Sequence, residues 1–379
     1  MITASRAFAA LAIMGFASMA LAEEPAPVAP AAPAVVNATP QTVAADPAAA
    51  KIAATNGNGD AKKQDEIPES VLAMTGGAST AKRKTPFSIN VLLEQSLGIG
   101  TFVSDQYARN PYYGYTLQIR PRYYFTNRLF AELAFALTGE LTTSYQTSTT
   151  QKRQVMPTDL TLLVKYANVY KIPVLGIDIS PFVRMGAPTS YESRYRNLYL
   201  STAAGFNLTR MFGQHVLIDY LFRFNKNWNK TAQPTISGGQ IALSRLRGAE
   251  DIGGGEVING EDNNTSFSVY NALTGSFIIN DQWSITLQLA FQNSWTYLSI
   301  PKDQFSSANA KAGRGQRDKT FGVLDLTYQP FDHFGFSLGL SSAQPAKTAD
   351  NKSYRFPFFD FSSAGNNYTT VYFDVYANY

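Results

Sequence analysis

The stretch Tyr113-Gly114-Tyr115-Thr116-Leu117-Gln118-Ile119-Arg120-Pro121-Arg122-Tyr123-Tyr124-Phe125 changes character at almost every second position. Tyr113, Tyr115, Leu117, Ile119, Tyr123 and Phe125 fall on one face. Gly114, Thr116, Gln118, Arg120, Arg122 and Thr126 fall on the other. Period-two order of this kind resolves into two faces only when the chain is extended. Strands of soluble sandwiches are commonly five or six residues long, and this run is far longer. It exceeds the roughly 9–11 residues that a tilted strand needs to cross a bilayer. Two arginines on one face exclude lipid there, so that face must meet water or other charges.

The same order continues on both sides. Upstream, Phe87, Ile89, Val91, Leu93, Leu97, Ile99, Thr101 and Val103 oppose Ser88, Asn90, Glu94, Ser96, Gly98 and Gly100. Downstream, Leu129, Leu133, Phe135, Leu137 and Leu141 oppose Glu132, Thr138 and Glu140. Nine further segments follow, at 160–170, 177–187, 198–208, 216–224, 267–279, 283–297, 322–328, 334–340 and 370–379. Connections alternate in length. Asn127-Arg128, 171–173, 210–214, Asn280-Asp281 and 330–333 are short, and the others are longer, up to the run from 230 to about 265. Short turns on one side and long loops on the other mark membrane barrels. The expected fold is all-β, a closed antiparallel transmembrane barrel of about twelve strands over residues 85–379. An even strand count returns both ends to the short-turn side.

Trp283 and Trp295 provide a ruler, twelve positions apart on one outward face. That spans about 40 Å of strand, or roughly 30 Å of height at the tilt of a barrel strand. They are expected, with Tyr113 and Phe125, to form girdles at the two membrane interfaces. Tyr115, Tyr145 and Tyr166 sit at comparable strand ends.

Bulk properties remove several alternatives. A net charge of +4 over 379 residues is too weak a bias for nucleic acid. Hydrophobic content of 45% does not separate soluble from barrel, although 21 Tyr and 25 Phe lean toward the barrel. The absence of Cys excludes disulfides, thiolate metal sites and a lipobox cysteine. Residues 1–22 read as a secretory signal peptide: Arg6, an apolar run, then Ala20-Leu21-Ala22 before Glu23. Residues 23–84 are rich in Ala and Pro and bury too little to offset chain entropy, predicting a disordered leader. Within them Val71, Leu72 and Met74 after Pro68 form either a short helical docking motif or plain linker. Lys82-Arg83-Lys84 would meet anionic head groups.

The last strand sets Val371, Phe373, Val375, Ala377 and the terminal Tyr379 against Thr370, Tyr372, Asp374, Tyr376 and Asn378. It resembles the terminal signal strand of Gram-negative outer-membrane β-barrel proteins, which ends in an aromatic residue read by their assembly machinery. A terminal Phe is commoner there than Tyr. The resemblance is one of architecture over residues 87–379 and carries over no family's functional residues. It implies an outer-membrane location with the leader in the periplasm. Outer-membrane lipids and lipopolysaccharide would be its partners, and the assembly machinery would read Phe373, Val375 and Tyr379.

Inward positions carry Glu94, Arg120, Arg122, Glu132, Glu140, Lys165, Asp178, Arg184, Asp219, Arg223, Asp325 and Asp374. Lipid would not tolerate these charges, so they are candidate pore-lining residues. Ser266, Ser268, Thr286, Gln288, Gly335, Ser337 and Gly339 make another wall of small side chains, leaving space for solute or for an inserted loop. The loop 230–264, with Ile236, Ile241, Leu243 and Leu246, is expected to fold over or into the mouth. A tight turn at Asn127 predicts Arg122 beside Glu132. A similar estimate places Glu94 beside Arg122, and Lys165 beside Asp178.

Twelve strands lie between packed eight-stranded barrels and open sixteen-stranded ones. The expected function is a narrow polar channel for passive diffusion of small hydrophilic solutes, with no cofactor and no catalysis. A plugged structural or adhesive barrel is the second reading and an outer-membrane hydrolase the third. His215 and His333, the two histidines, both fall at short turns, away from any nucleophile. The acidic run 248–264 lacks calcium-loop spacing, and 312–315 lacks a strand–loop–helix setting. Lys311, Arg314, Arg317 and Lys319 suit lipopolysaccharide phosphates or simple solvation.

Overall fold

The computed structural model describes residues 86–98, 102, 113–141, 155–232, 235–236, 257–258, 263–298, 315–331, 333–347, 352–356 and 369–379. The expected signal peptide and leader, Tyr145, Lys311, Arg314 and most of the loop 230–264 lie outside these residues. The strands are β1 (Phe87–Gly98), β2 (Tyr113–Tyr124), β3 (Leu129–Glu140), β4 (Val155–Pro157), β5 (Leu160–Tyr166), β6 (Tyr170–Ile172), β7 (Ile177–Ala187), β8 (Leu198–Phe212) and β9 (Val216–Asn229). They continue with β10 (Thr235–Ile236), β11 (Val257–Ile258), β12 (Thr265–Ile278), β13 (Trp283–Thr296), β14 (Gln316–Phe331), β15 (Phe334–Pro345) and β16 (Thr369–Asn378). One short helix, α1 (Tyr191–Tyr195), precedes β8.

Neighbours in the sheet follow chain order, β1-β2-β3 through β9, then β12 to β16, all antiparallel. β16 returns to β1, with Leu93 opposite Val375 and Glu94 opposite Asp374. Ile89 and Tyr379 exchange backbone hydrogen bonds at 2.8 and 2.9 Å, so the last residue seals the seam. The ring of strands thus closes on itself, as hydrocarbon requires. β4, β5 and β6 share one stave, which makes a closed barrel of twelve staves. Strands β10 and β11 pair with each other as a separate two-stranded sheet.

The broken stave has a local cause. After Pro157, the Thr158 hydroxyl accepts the Ala136 amide at 2.9 Å, and the Thr158 amide donates to the Ala136 carbonyl at 2.8 Å. Asp159 turns away to accept from the Ser190 amide and the Ser193 hydroxyl at the start of α1. Farther on, Asn168 sits at φ 49° and interrupts the ladder before β6. Gly176 and Gly213, both at φ 61°, close the two turns that follow, a conformation that glycine adopts without a Cβ penalty.

Several strands outrun their sequence signal, β15 among them, which runs to Pro345. β8 reaches Phe212, β9 reaches Asn229 and β14 begins at Gln316. Pairing continues where the outward residues turn polar, as at Asn293 opposite Asp318. Hydrophobic alternation therefore ends before the strand does.

Across the middle of the barrel most outward side chains are apolar and bare. Leu273 is 53% exposed and Leu338 is 55%, whereas inward Tyr270 and Tyr372 are each 2% exposed. Ile119, Leu133, Leu162, Val183, Ile285, Leu287, Leu289, Leu324 and Phe373 extend this belt around the barrel. Each such side chain is worth about 1.5–3 kcal/mol when moved from water to an apolar phase.

Candidate functional site: the barrel interior

Every charged residue read as inward, Glu140 aside, lies on the inner face of a strand; of Glu140 only the backbone is described, opposite Gly114. The interior is built as two unlike arcs.

On the arc from β1 to β9 the cations have close partners. Arg122 Nε and Nη2 donate to Glu132 Oε2 at 2.9 and 2.6 Å, and Nη1 donates to Tyr124 Oη at 2.9 Å. The guanidinium also lies 4.5 Å from the Phe130 ring centre. Arg122 and Glu132 are direct cross-strand partners, as the Asn127 turn predicts. Arg120 donates to Gln118 at 2.7 Å, and Arg184 to Thr161 at 3.1 Å. Lys165 Nζ donates to Asn207 Oδ1 at 3.0 Å. Asn207 in turn donates to Asp219, which also accepts from Thr209 at 2.6 Å. Arg223 stacks its guanidinium 4.7 Å from the Tyr270 ring.

Two register expectations fail. Glu94 lies opposite Thr116 and Asp374, not beside Arg122, whose β1 partner is Ser88. A long outer loop does not fix pairing by its midpoint, unlike a tight turn. Lys165 lies opposite Phe182, and Asp178 opposite Lys171 and Thr209. The Asn168 interruption and the turn closed by Gly176 shift this pairing, which a simple hairpin at 171–173 would not do.

The arc from β12 to β16 is different. Asp325 is 1% exposed and Asp374 is fully buried, as are Ser284, Thr286 and Thr327. Asp325 accepts from Tyr372 Oη at 2.8 Å and from Thr327 Oγ1 at 2.6 Å. Ser337 donates to Asp374 at 3.1 Å, and Ser276 bonds Thr286 at 2.9 Å. Tyr372 and Tyr376 lie across Gly339 and Gly335 of β15, where a Cβ would overlap their hydroxyls. The small residues of β15 thus hold tyrosine rings, which corrects the expectation that they leave room for a loop. Tyr270, Ala272, Ala290 and Phe321 form an apolar cluster on this arc, with Leu221 and Ala343 against it. Alternation places these aromatics on the inner face, but their bulk there is invisible to a reading that seeks charges.

Some inward residues of the first arc remain partly open, although Arg120, Glu132, Lys165, Asp178, Asp219 and Arg223 are buried. Glu94, Thr116, Gln118, Thr161, Arg184, Ser201 and Ala203 are all half-buried.

Aromatic pairs sit at the strand ends outside. Trp283 stacks on Tyr328 at 4.4 Å, and Trp295 on Phe267 at 5.0 Å, at opposite ends of β13. Phe125 meets Tyr123 edge-on at 5.2 Å, and Tyr113 Oη donates to Gln95 at 3.1 Å. His333 stacks with Tyr379, and His215 Nδ1 lies 2.8 Å from the Ile278 carbonyl. These histidines occupy the turns β14–β15 and β8–β9, with β12 and β13 between. Among the described residues no group of three or more His, Cys, Asp or Glu could hold a metal ion.

An unbroken sheet, a polar interior and a bare apolar exterior have one common solution. The chain is a membrane-spanning β-barrel.

No protein-family model and no curated protein matches the barrel. Among solved structures, it is similar to an outer-membrane channel from Pseudomonas putida F1 at 11% identity and TM-score 0.43, covering 79% of this chain and 97% of that one. It is also similar to the NanC porin, at 10% identity and TM-score 0.37, covering 76% and 97%. The outer-membrane protein Omp33 of Acinetobacter baumannii aligns at 11% identity and TM-score 0.27, covering 78% and 100%. At these levels the functional reading rests on the barrel's own residues.

Proposed function

We propose that the barrel is a narrow channel of the Gram-negative outer membrane, passing small hydrophilic solutes by diffusion and catalysing nothing. The carrying observation is the open arc of polar and charged side chains from β1 to β8, set inside a closed barrel with an apolar exterior. Solute would move along Glu94, Thr116, Gln118 and Arg184, with Arg120, Arg122, Glu132, Lys165, Asp178, Asp219 and Arg223 holding the wall behind it. Asp325 and Asp374, locked to tyrosine and serine, would shape the lumen rather than touch solute.

In this reading residues 1–22 direct export, 23–84 remain in the periplasm and 85–379 insert. Phe373, Val375 and Tyr379 would be read by the assembly machinery. Trp283, Trp295, Tyr113 and Phe125 would ride at the lipid interfaces, and lipopolysaccharide would surround the outer rim. Purified protein in planar bilayers should give discrete steps of small conductance in potassium chloride.

One observation favours a second reading. The depth of burial on β12–β16 means that part of the lumen is filled, as in a plugged structural barrel. A silent bilayer recording from folded protein would select that reading.

A further inference from the structure

The lipid face carries a polar pair where hydrocarbon is expected. Asn271 of β12 shares its outward face with Leu273 and Phe277, both half-exposed or more. Tyr220 Oη, on the outward face of β9, donates to Asn271 Oδ1 at 2.7 Å. The Asn271 amide nitrogen has no hydrogen-bond partner among the described residues. Head groups do not account for it. The stack of Phe224, Phe267 and Trp295 lies farther toward the outer rim, with ring separations of 6.2 and 5.0 Å, and Asn271 lies below it between Phe222 and Phe291, with Leu273 as the next outward residue of its strand. At that depth there is neither water nor phosphate to accept from an amide.

The surface around the amide is concave. Tyr220, Asn271, Leu273, Leu289, Phe291 and Thr320 line a shallow groove. Thr320 Oγ1, in the same cross-strand row, is buried and has no hydrogen-bond partner. Gly275, two positions below Leu273, has open space where a Cβ would stand.

We propose that this face of β9, β12 and β13 docks a second copy of the chain, about a two-fold axis along the membrane normal. Copies inserted in one direction hold Asn271 at one depth, so the axis brings each amide to its own equivalent. An amide carries both donor and acceptor, and is therefore its own complement. Polar side chains drive association in lipid for this reason, and small residues let the surfaces approach. A two-fold contact also closes, giving a dimer and not a filament. The inference is independent of conduction.

The chain has no cysteine, so the test is clean. Full-length protein carrying Leu273→Cys, reconstituted in vesicles at several protein-to-lipid ratios, should form a disulfide-linked dimer on mild oxidation. Energy transfer between labelled copies should rise with that ratio. Asn271→Leu should lower the association constant at least tenfold while the barrel still shows heat-modifiable mobility, since leucine suits a lipid face. A monomer at every ratio overturns the proposal, as does a dimer that Asn271→Leu leaves intact. A monomer that conducts would sink only the dimer, and a dimer that is silent would sink only the channel.

Discussion

Arg122 shows how one residue ties register to stability. Its two bonds to Glu132, the bond to Tyr124 and the ring of Phe130 place a cation on the lumen wall with each neighbour supplied by sequence position. Hydrogen bonds to charged groups contribute about 1.5–3 kcal/mol each, and the pair is only 19% and 7% exposed. Arg122→Ala should therefore destabilise the barrel by about 2–3 kcal/mol in urea titrations read by electrophoretic mobility. Arg122→Glu should cost more, because like charges then stand directly opposite. Adding Glu132→Arg should return part of that loss. Simple additivity would mean that the two side chains do not act together. This pair was legible because a tight turn fixes its register. The environment of Lys165 was not, because Asn168 at positive φ and the turn ending in Gly176 are backbone events that alternation does not report.

At the scale of elements, the strands were readable and their limits were not. Lipid and lumen impose period two only across the hydrocarbon, so β9 and β14 continue unseen into the outer rim. The interlock of β14, β15 and β16 was equally hidden. Gly335, Ser337 and Gly339 read as vacancy, although the two glycines are seats for Tyr376 and Tyr372, whose hydroxyls reach Gln329 and Asp325 on β14, and Ser337 bonds Asp374 between them. Tyr372→Phe should cost about 1–2 kcal/mol, since it leaves a buried carboxylate oxygen short of a donor. Gly339→Ala should cost at least as much, about 1–3 kcal/mol, because its Cβ would meet both the Tyr372 hydroxyl and the Leu324 carbonyl. Combining Gly339→Ala with Tyr372→Ala should destabilise less than the sum of the two, since the seat no longer needs to be empty. Equal additive losses would show that ring and glycine are not one unit.

For the whole molecule, the question is which part of the lumen meets water. Alternation assigns faces but says nothing about what stands across the barrel, so the wall of small side chains read as the one with space beside it. The folded chain does not. Thr116 and Gln118 on β2 are half-buried, whereas Thr286 on β13 and Ser337 on β15 are almost wholly covered. All four point inward, so only the filling of the lumen separates them. Single cysteines at these sites, in a chain that otherwise has none, should make the difference measurable. In intact vesicles a charged, membrane-impermeant maleimide should label Thr116→Cys and Gln118→Cys at least tenfold faster than Thr286→Cys and Ser337→Cys. If the open arc is also the conducting path, labelling at Thr116→Cys should lower single-channel conductance. Rapid labelling at Ser337→Cys would mean that the covered arc opens to water, and that the passage is central instead of lying against β1 to β8.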